Sequence, residues 1–225
     1  MDLYDIHTHD ATPSTEEGEE GRPCVLNVYP LGFEDAKDAL LNCCFSCGVH
    51  PWYSENAEPQ LNFLEEIAGD HRIIAIGEAG YDKLRGPDLS IQRIVFERQI
   101  ELSEQLGKPL VIHCVKAWGE LLESKKKFRP SQPWIIHNYK GRPEFTKELL
   151  EHGCMFSIGE KFNENSVKEI PLELLFCETD TSDATIDDIY RGLAESLNMP
   201  LEELALQIKK NVMKIFPQLT AMNSK

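Results

Sequence analysis

The chain has 225 residues, of which 23 are basic and 38 acidic, so its formal net charge is −15 with seven histidines counted as neutral. With 41% hydrophobic and 27% charged residues, and no apolar run near the roughly 18 residues of a membrane span, the composition is that of a soluble globular protein. Because binding to a phosphate backbone needs clustered Lys and Arg, the charge also argues against a surface that binds nucleic acid by bulk electrostatics.

Eight short apolar runs predict strands along the chain. They are LYDI (3–6), CVLNV (24–28), CCFSCGV (43–49), IIAIG (73–77), PLVIHC (109–114), PWIIH (133–137), CMFSI (154–158) and LELLFCET (172–179). Segments with helical periodicity lie between most of them, at 61–68, 91–106 and 145–150. Near-continuous apolar strands that alternate with helices are typical of a parallel sheet covered on both faces, and eight of them predict a (β/α)₈ TIM barrel.

One connection departs from this alternation. Residues 10–23 carry Pro, Gly, Ser and four glutamates but no apolar helical stripe, so we expect a loop there and a first helix that is reduced or absent. Beyond the last strand, 186–198 and 200–216 predict two helices, the second ended by Pro217. Since no internal repeat or long linker divides the sequence, we expect a single domain over residues 1–225.

The N-terminus and the cysteines bear on the compartment. MDLYDIHTHD lacks the basic start and apolar stretch of a secretory signal, so we expect a cytoplasmic protein with no membrane partner and no obligate protein partner. The seven cysteines are an odd number spread through apolar runs, which favours buried free thiols over disulfides. Cys44 and Cys47 form a C-x-x-C, for which core packing is favoured over a metal or redox role.

Several histidines and carboxylates fall at the carboxyl ends of predicted strands. They are His7 and His9 after the first strand, Glu78 after the fourth, His113 and His137 at the ends of the fifth and sixth, and Asp180 after the eighth. In a (β/α)₈ barrel these ends form one rim, where catalytic groups collect. Any one of them alone would more often be a hydrogen-bonded rim residue or a helix cap, as we expect for His71 and His152. Together they predict a metal site.

The spacing of His7 and His9 places both rings on one face of a strand, so that they can approach one ion together. Imidazole and carboxylate ligands without Cys suit zinc, manganese or iron better than calcium. Six ligands are too many for one tetrahedral ion, which suggests two ions, and a carboxylate such as Glu78 can bridge ions about 3.5–4 Å apart.

The motifs resemble the TatD family of metal-dependent hydrolases, which are relatives of the amidohydrolase barrels. The matching stretches run in family order and are IHTH (6–9), GVHPW (48–52), IGEAGYDKLRGPDLSIQ (76–92), VFERQIELSEQLGKPLVIHC (95–114), IHNYKG (136–141), CETD (177–180) and NVMKIF (211–216). GEAGYD followed by a helix and PLVIH is highly specific, whereas ETD alone would be weak.

The resemblance implies a two-metal hydrolase that cleaves phosphodiesters, usually described as a DNase, with two divalent ions (Zn, Mn or Mg). It implies the following ligands: His7, His9 and Asp180 for the first ion, His113 and His137 for the second, and Glu78 between them. Glu78 and Asp180 would be the catalytic carboxylates, with Asp180 placed to orient or deprotonate a water. His50, Arg85 and Lys116 would meet the substrate; the plain alternatives for His50 and Arg85 are a strand-end hydrogen bond and a solvated loop charge.

The substrate-contacting loops depart from the family. The first helix is reduced, TSDATIDD replaces a Pro-containing basic loop, Lys116 stands where Arg is common, and HNYKG replaces an HCFSG-like run. The densest basic run, KKKFR (125–129), is predicted at the bottom of the barrel as a solvated helix end. The rim instead offers the cations Lys83, Arg85, Lys116, Lys140, Arg142 and Lys161 and the aromatic residues Trp52, Tyr81, Trp118, Tyr139 and Phe162. These could stack and hold a strand end.

Three functions remain open from the sequence. The first is a phosphodiesterase acting on DNA or short nucleotides. The second keeps the metal site but hydrolyses a small amide, lactone or phosphoester. The third is a non-catalytic barrel that kept the scaffold, against which the complete ligand set argues, because packing needs none of those six residues.

Overall fold

The computed structural model describes residues 1–10, 23–40 and 43–222. Eight strands form one parallel sheet whose order follows the chain. They are β1 (Asp5–Thr8), β2 (Cys24–Val28), β3 (Cys44–Cys47), β4 (Ile73–Asp82), β5 (Leu110–Val115), β6 (Trp134–Ile136), β7 (Cys154–Ile158) and β8 (Leu175–Cys177). Parallel pairing between every consecutive pair produces the predicted barrel order.

The helices lie in the connections between the strands and after the last one. They are α1 (Phe33–Ala39), α2 (Glu58–Ile67), α3 (Leu89–Leu106), α4 (Trp118–Phe128), α5 (Pro143–Glu151), α6 (Glu164–Val167), α7 (Ile186–Leu197), α8 (Leu201–Ile215) and α9 (Pro217–Met222). Within the described ranges, no helix is long and apolar enough to cross a membrane.

The barrel closes at two predicted ligand segments. The backbone N–H of Asp180 donates to the carbonyl of His7 at 2.9 Å, and the N–H of His9 donates to the carbonyl of Asp180 at 3.2 Å. A parallel bridge between Thr8 and Asp180 completes the contact. Closure of the fold and placement of the site therefore depend on the same few residues.

Burial of the strands follows from their apolar sequences. All ten residues of β4 are buried, and the core cluster includes side chains from every strand. Two glycines let β4 approach β5 closely: a Cβ on Gly80 would lie 2.1 Å from the carbonyl oxygen of His113, and one on Gly77 would lie 2.4 Å from that of Val111. Since both also have positive φ, of +145° and +133°, other residues would be strained there.

The predicted architecture is confirmed and several details differ. Four of the described helices, α1, α4, α6 and α9, have no helical prediction of their own beyond the basic end of α4. Pro217 follows the end of α8 as predicted, and it also begins α9, because its fixed φ suits a first helical position. The prediction of a loop at 10–23 falls largely outside the described residues. Cys44 and Cys47 lie in the core, as the packing interpretation expects.

Candidate metal centre

The six predicted ligands come together at the carboxyl ends of the strands. Three sets of residues each bring their metal-binding atoms within 4.8 Å of one another. The sets are His7, His9 and Glu78; His7, His137 and Asp180; and His50, Glu78 and His113. The six predicted ligands lie in, or shortly after, the five strands β1, β4, β5, β6 and β8. This explains how side chains more than 170 positions apart in sequence share one site.

Glu78 lies between two groups of histidines and presents a different oxygen to each. Its Oε2 is 3.5 Å from Nε2 of both His7 and His9. Its Oε1 is 2.6 Å from Nδ1 of His113 and 2.8 Å from Nε2 of His137. Asp180 Oδ1 lies on the first side, 3.5 Å from His9 Nε2. The arrangement fits a carboxylate that faces two adjacent positions for cations.

His7 provides the test of whether the residues fit a metal. Its side chain is fully buried, and neither Nδ1 nor Nε2 has a hydrogen-bond partner among the described residues. A buried polar group without a partner is costly, and imidazole nitrogen is a common metal ligand. The His7 ring, beside two carboxylates and two other imidazoles, therefore has the donor chemistry and the unsatisfied valence of a ligand to zinc, manganese or iron.

Two further carboxylates fix the orientation of ligand rings. Glu178, which is fully buried, lies 3.1 Å from Nδ1 of His137. Asp82 Oδ2 lies 3.2 Å from Nε2 of His113. Each carboxylate can accept the N–H of one ring nitrogen. In a neutral ring the other nitrogen then has its lone pair towards Glu78, where a cation could bind it, whereas without a cation that nitrogen can carry a proton and donate to Glu78. Such carboxylate–histidine pairs raise ligand basicity and set the tautomer.

His50 is oriented differently and directs an N–H towards Glu78. Its Nδ1 accepts a hydrogen bond from the backbone N–H of Trp52 at 3.1 Å. In the neutral ring the proton is then on Nε2, which lies 3.1 Å from Oε1 of Glu78 and donates to it. Although His50 belongs to one metal-binding set, this geometry makes it a hydrogen-bond donor beside the centre and not a ligand.

Opposite charges in the centre shift its pKa values. Burial opposes ionisation of Glu78, but His137 and the hydrogen bonds from His113 and His50 hold the pKa of that carboxyl well below its usual range. Burial likewise disfavours the charged form of His137, yet Glu78 and Glu178 raise its pKa well above the usual value. The hydrogen bond to Glu78 raises the pKa of His9. Protons thus stabilise the same cluster of negative charge that a cation would.

Helix side chains hold the loops of the mouth in place. Gln99 of α3 pairs with both backbone groups of Val49, at 2.8 and 3.0 Å, and so fixes the segment that carries His50. Gln92 of α3 accepts from the N–H of Asp82 at 2.7 Å and donates to its carbonyl at 2.9 Å. Neither glutamine is predicted to have a role from the sequence.

A cleft of about 690 Å³ opens over the centre. Of the predicted substrate residues, His50 and Lys116 line it, whereas Arg85 lies on the loop outside and stacks on Trp52, with its guanidinium 3.6 Å from the ring centre. Lys140 and Arg142 also line the cleft. Lys83 instead forms an ion pair with Glu120 at 2.8 Å.

The predicted stacking surface is partly wrong. Tyr81 is fully buried and its hydroxyl is hydrogen-bonded to Ser124 at 2.8 Å, so it packs on the outside of the barrel wall against α4. Trp52 and Trp118 do line the cleft, together with Phe145, which is 40% exposed and was not predicted. Trp118 and Phe145 are 6.2 Å apart between ring centres and present one aromatic wall.

Sequence reasoning missed the outer carboxylates Asp82 and Glu178 and the amide of Asn138. Asn138 Nδ2 donates to Oδ2 of Asp180 at 2.6 Å. Asp82 and Glu178 each stand an even number of residues from a predicted ligand, Glu78 and Asp180, so alternation along the strand was the available signal. Nothing comparable marks Asn138, whose contact joins the ends of two different strands.

Comparison with known proteins gives one family. A family model described as TatD related DNase matches residues 32–217. An uncharacterized metal-dependent hydrolase of Buchnera aphidicola is 26% identical over 197 residues, covering 78% of this chain and 74% of that protein. Deoxyribonuclease Tat-D of Schizosaccharomyces pombe is 30% identical over 159 residues, covering 61% and 51%. The human 3'-5' RNA nuclease TATDN2 is 35% identical over 159 residues, covering 64% of this chain and 20% of that protein.

Solved structures agree with the fold. The TatD homolog YjjV of Escherichia coli superposes with a TM-score of 0.82 at 18% identity, covering 96% of this chain and 98% of that chain. A TatD-family hydrolase of Entamoeba histolytica gives a TM-score of 0.77, also at 18% identity, with 96% and 98% coverage. At these identities the likeness shows the shared barrel.

Proposed function

The chain belongs to the TatD-related DNase family of metal-dependent hydrolases, and from that premise we propose that it cleaves phosphodiester bonds in DNA or short nucleotides at a two-metal site. The names of two relatives support the nucleic-acid substrate, since one is a deoxyribonuclease and another an RNA nuclease. The observation that carries the proposal is the position of Glu78, whose two oxygens face two groups of imidazoles below a cationic cleft.

The proposed ligands follow the two sides of Glu78. His7, His9 and Asp180 would hold one ion and His113 and His137 the other, with Glu78 in contact with both. The unsatisfied ring nitrogens of His7 support the first position. The outer carboxylates support the second, because Asp82 and Glu178 leave a lone pair of each ring directed to Glu78. Divalent ions bound there supply Lewis-acid charge for a phosphodiester and lower the pKa of water.

Asp180 is the proposed proton acceptor. Its side chain is 16% exposed and lies at the floor of the cleft, where water can reach it. Asn138 fixes Oδ2 through a 2.6 Å hydrogen bond, so the carboxylate has one oxygen held in place while the other faces His7 and His9. A carboxylate fixed in this way can orient a water molecule and accept its proton as the P–O bond is attacked.

Capture of the substrate is assigned to the walls of the cleft. Lys116, Lys140 and Arg142 place positive charge beside the centre, where a phosphodiester backbone would lie. His50 Nε2–H donates to Glu78 in the metal-free centre, and with the Glu78 oxygens on metal ions it would be available to donate to a phosphate oxygen. Trp118 and Phe145 offer faces for base stacking, which is worth roughly 1–3 kcal/mol per base and tolerates any sequence. The set favours a short single-stranded end.

The test is hydrolysis after controlled metal loading. Protein stripped with a chelator and reloaded with Mn²⁺ or Zn²⁺ should cleave an end-labelled single-stranded DNA oligonucleotide, and the Glu78→Gln variant should lose at least about a hundredfold of that rate. Glu173→Gln changes the same side chain at an exposed position before β8 and should cleave normally. Circular dichroism must show the same fold in both variants.

A panel of other substrates distinguishes the alternatives. An ester, a cyclic amide and a small phosphomonoester should be turned over far more slowly than the oligonucleotide. Faster turnover of any of these, with the same dependence on Glu78, would replace the phosphodiesterase proposal by that of a small-molecule hydrolase. Failure to bind Mn²⁺ or Zn²⁺ would instead favour a barrel that kept only the scaffold.

A further inference from the structure

A second group of cations lies at the end of the barrel opposite the metal centre. Lys125 and Lys126 occupy the last turn of α4, and Arg129 follows that helix. In the part of the chain that the structure describes, no carboxylate oxygen lies within 4.0 Å of the charged atoms of these three residues. The adjacent Lys127 differs, since its Nζ lies 2.7 Å from Glu97. Positive charge therefore remains unpaired here in a chain with a net charge of −15.

The three cations line a concave pocket of about 640 Å³ at the start of β6 and β7, which we name the basal pocket. Gln132 and His152 add hydrogen-bonding groups to its wall. Its other lining residues include the apolar side chains of Pro130, Pro133 and Met155. A volume of this size, with convergent polar groups and an apolar wall, is typical of sites for small ligands.

Lys125 is held in place without a partner of opposite charge. Its Nζ lies 4.5 Å from the centre of the Trp134 ring, and its stem is half-buried. Burial lowers the pKa of this lysine, so an anion beside it would be favoured because it restores the charged form. Glu104 acts on Lys125 only from a distance, where its charge raises the lysine pKa in part, because its oxygens are held by the backbone N–H groups of Ser131 and Gln132, at 3.0 and 2.8 Å, and form no salt bridge with Lys125.

The dipole of α4 accounts for only part of this arrangement. Cations are favoured in the last turn of any helix, and Lys125, Lys126 and Lys127 all satisfy that preference. The dipole does not require them to face a cavity, nor does it place Arg129 and His152, from two different connections, on the same wall. Convergence of unpaired cations on a concave surface is what a bound anion requires.

We propose that the basal pocket binds a phosphorylated small molecule, with the phosphate on Lys126 and Arg129 and the remainder on the proline and methionine wall. The guanidinium of Arg129 can contact two phosphate oxygens at once, and Lys126 supplies a second charge. The apolar wall favours an organic phosphate over free phosphate, since it offers contact area that inorganic phosphate cannot use. The site is separate from the metal centre and does not depend on the proposed hydrolysis.

Calorimetric titration of the metal-free protein in a chelator tests this assignment, with deoxyadenosine monophosphate and inorganic phosphate as probes. The nucleotide should bind, at least about fivefold more tightly than inorganic phosphate. The double variant Lys126→Gln/Arg129→Gln should weaken nucleotide binding at least about tenfold. Lys127→Gln removes a paired charge next to the pocket and should change the affinity by less than about twofold.

A second double variant, Lys116→Gln/Lys140→Gln, removes the same charge from the cleft over the metal centre. Because the chelator removes the metal ions with which the cleft is proposed to hold a phosphate, this variant should weaken nucleotide binding by less than about twofold, well below the effect of the basal variant. If this variant weakens binding and the basal variant does not, the nucleotide binds at the cleft and the proposal is wrong. Equal affinity for the nucleotide and inorganic phosphate would overturn the assignment to an organic phosphate. A specific anion pocket is expected to have a dissociation constant no weaker than about 10 mM. If neither probe binds at that concentration, the basal pocket is not a binding site.

Discussion

Glu178 lies 3.1 Å from Nδ1 of His137 and is completely buried behind it. Burial opposes ionisation of Glu178, but the charge of His137 and the hydrogen bond from it lower the pKa of this carboxyl, with smaller contributions from His7 and Ser157. With the proton on Nδ1 directed to Glu178, His137 presents Nε2 to Glu78 at 2.8 Å, as a proton donor in the metal-free centre and as a lone-pair donor once a cation displaces that proton. Asp82 is placed in the same way behind His113, where it lies beside Nε2 and the ring presents Nδ1 to Glu78.

The first prediction concerns these outer carboxylates. Glu178→Gln and Asp82→Asn keep the size of the side chain and remove its charge, so the rings become less basic ligands. We expect metal affinity to fall about 10- to 100-fold in each variant. Competition with a coloured chelator measures the affinity, and Glu173→Gln is the control for an acid away from the site. Unchanged affinity in both variants would show that the carboxylates serve packing alone.

The second prediction separates His7 from His50. His7 has two unsatisfied ring nitrogens, whereas the Nδ1 of His50 accepts from Trp52 and its Nε2 donates to Glu78. His7→Ala should therefore reduce the amount of bound metal per chain, and His50→Ala should leave it intact while lowering the rate of phosphodiester cleavage about 10²- to 10⁴-fold. Elemental analysis gives the first quantity and oligonucleotide cleavage the second. Loss of metal in His50→Ala would contradict the tautomer assignment.

The barrel could be predicted because its strands are apolar throughout. Predicted boundaries at 24–28 and 154–158 coincide with β2 and β7. α1 is not predicted because FEDAKDA is too short to show a helical period, and Phe33 is the one fully buried hydrophobic residue among its side chains that the structure describes. The candidate metal-binding residues could be found in the sequence because their positions at strand ends follow from the topology, which the strand pattern predicts.

Residues that act through tertiary contacts were harder to predict. Tyr81 is predicted at the rim because it follows the predicted fourth strand (73–77), but β4 continues to Asp82. Tyr81 is three positions from Glu78 and therefore points to the opposite face of β4, where it packs against Phe96. Counting by twos from Glu78 would have excluded Tyr81 and selected Asp82. The pairing of Asn138 with Asp180 depends on the distance between the ends of β6 and β8, which no local pattern encodes.

The third prediction is a dependence of metal binding on pH. Without metal, the pKa values of His9 and His137 are raised by the neighbouring carboxylates, so these rings keep protons to a higher pH than free imidazole. A cation must displace those protons, and each proton released makes the affinity rise about tenfold per pH unit until the rings are deprotonated. Calorimetry in buffers of different ionisation enthalpy should show proton release near pH 7. An enthalpy that is the same in all buffers would refute this.

The fourth prediction tests the cations of the cleft. Lys116→Gln, Lys140→Gln and Arg142→Gln should each weaken binding of single-stranded DNA to a similar extent for every sequence, and each should reduce the slope of log affinity against log salt by about 0.7 to 1. Lys161 is an exposed cation that does not line the cleft, so Lys161→Gln should leave the slope unchanged. An equal effect of all four changes would indicate a long-range effect of net charge, with no specific contact in the cleft.

The fifth prediction identifies the most reactive thiol. Among the described cysteines, Cys43 stands apart because a hydrogen bond from the Cys24 thiol and the nearby charge of Arg72 outweigh its burial and lower its pKa to about 7. Cys114 is also half-buried, but burial raises its pKa. Since the thiolate is the nucleophile, iodoacetamide at pH 7 should modify Cys43 first, about 10 times faster than a thiol of ordinary pKa. Peptide mass spectrometry measures the order of modification.

The control variant is Cys24→Ser, in which a hydroxyl replaces the thiol and can still donate to Cys43, so Cys43 should still be labelled. Faster labelling of Cys114 in the native chain would show that exposure, and not thiolate stability, governs reactivity here.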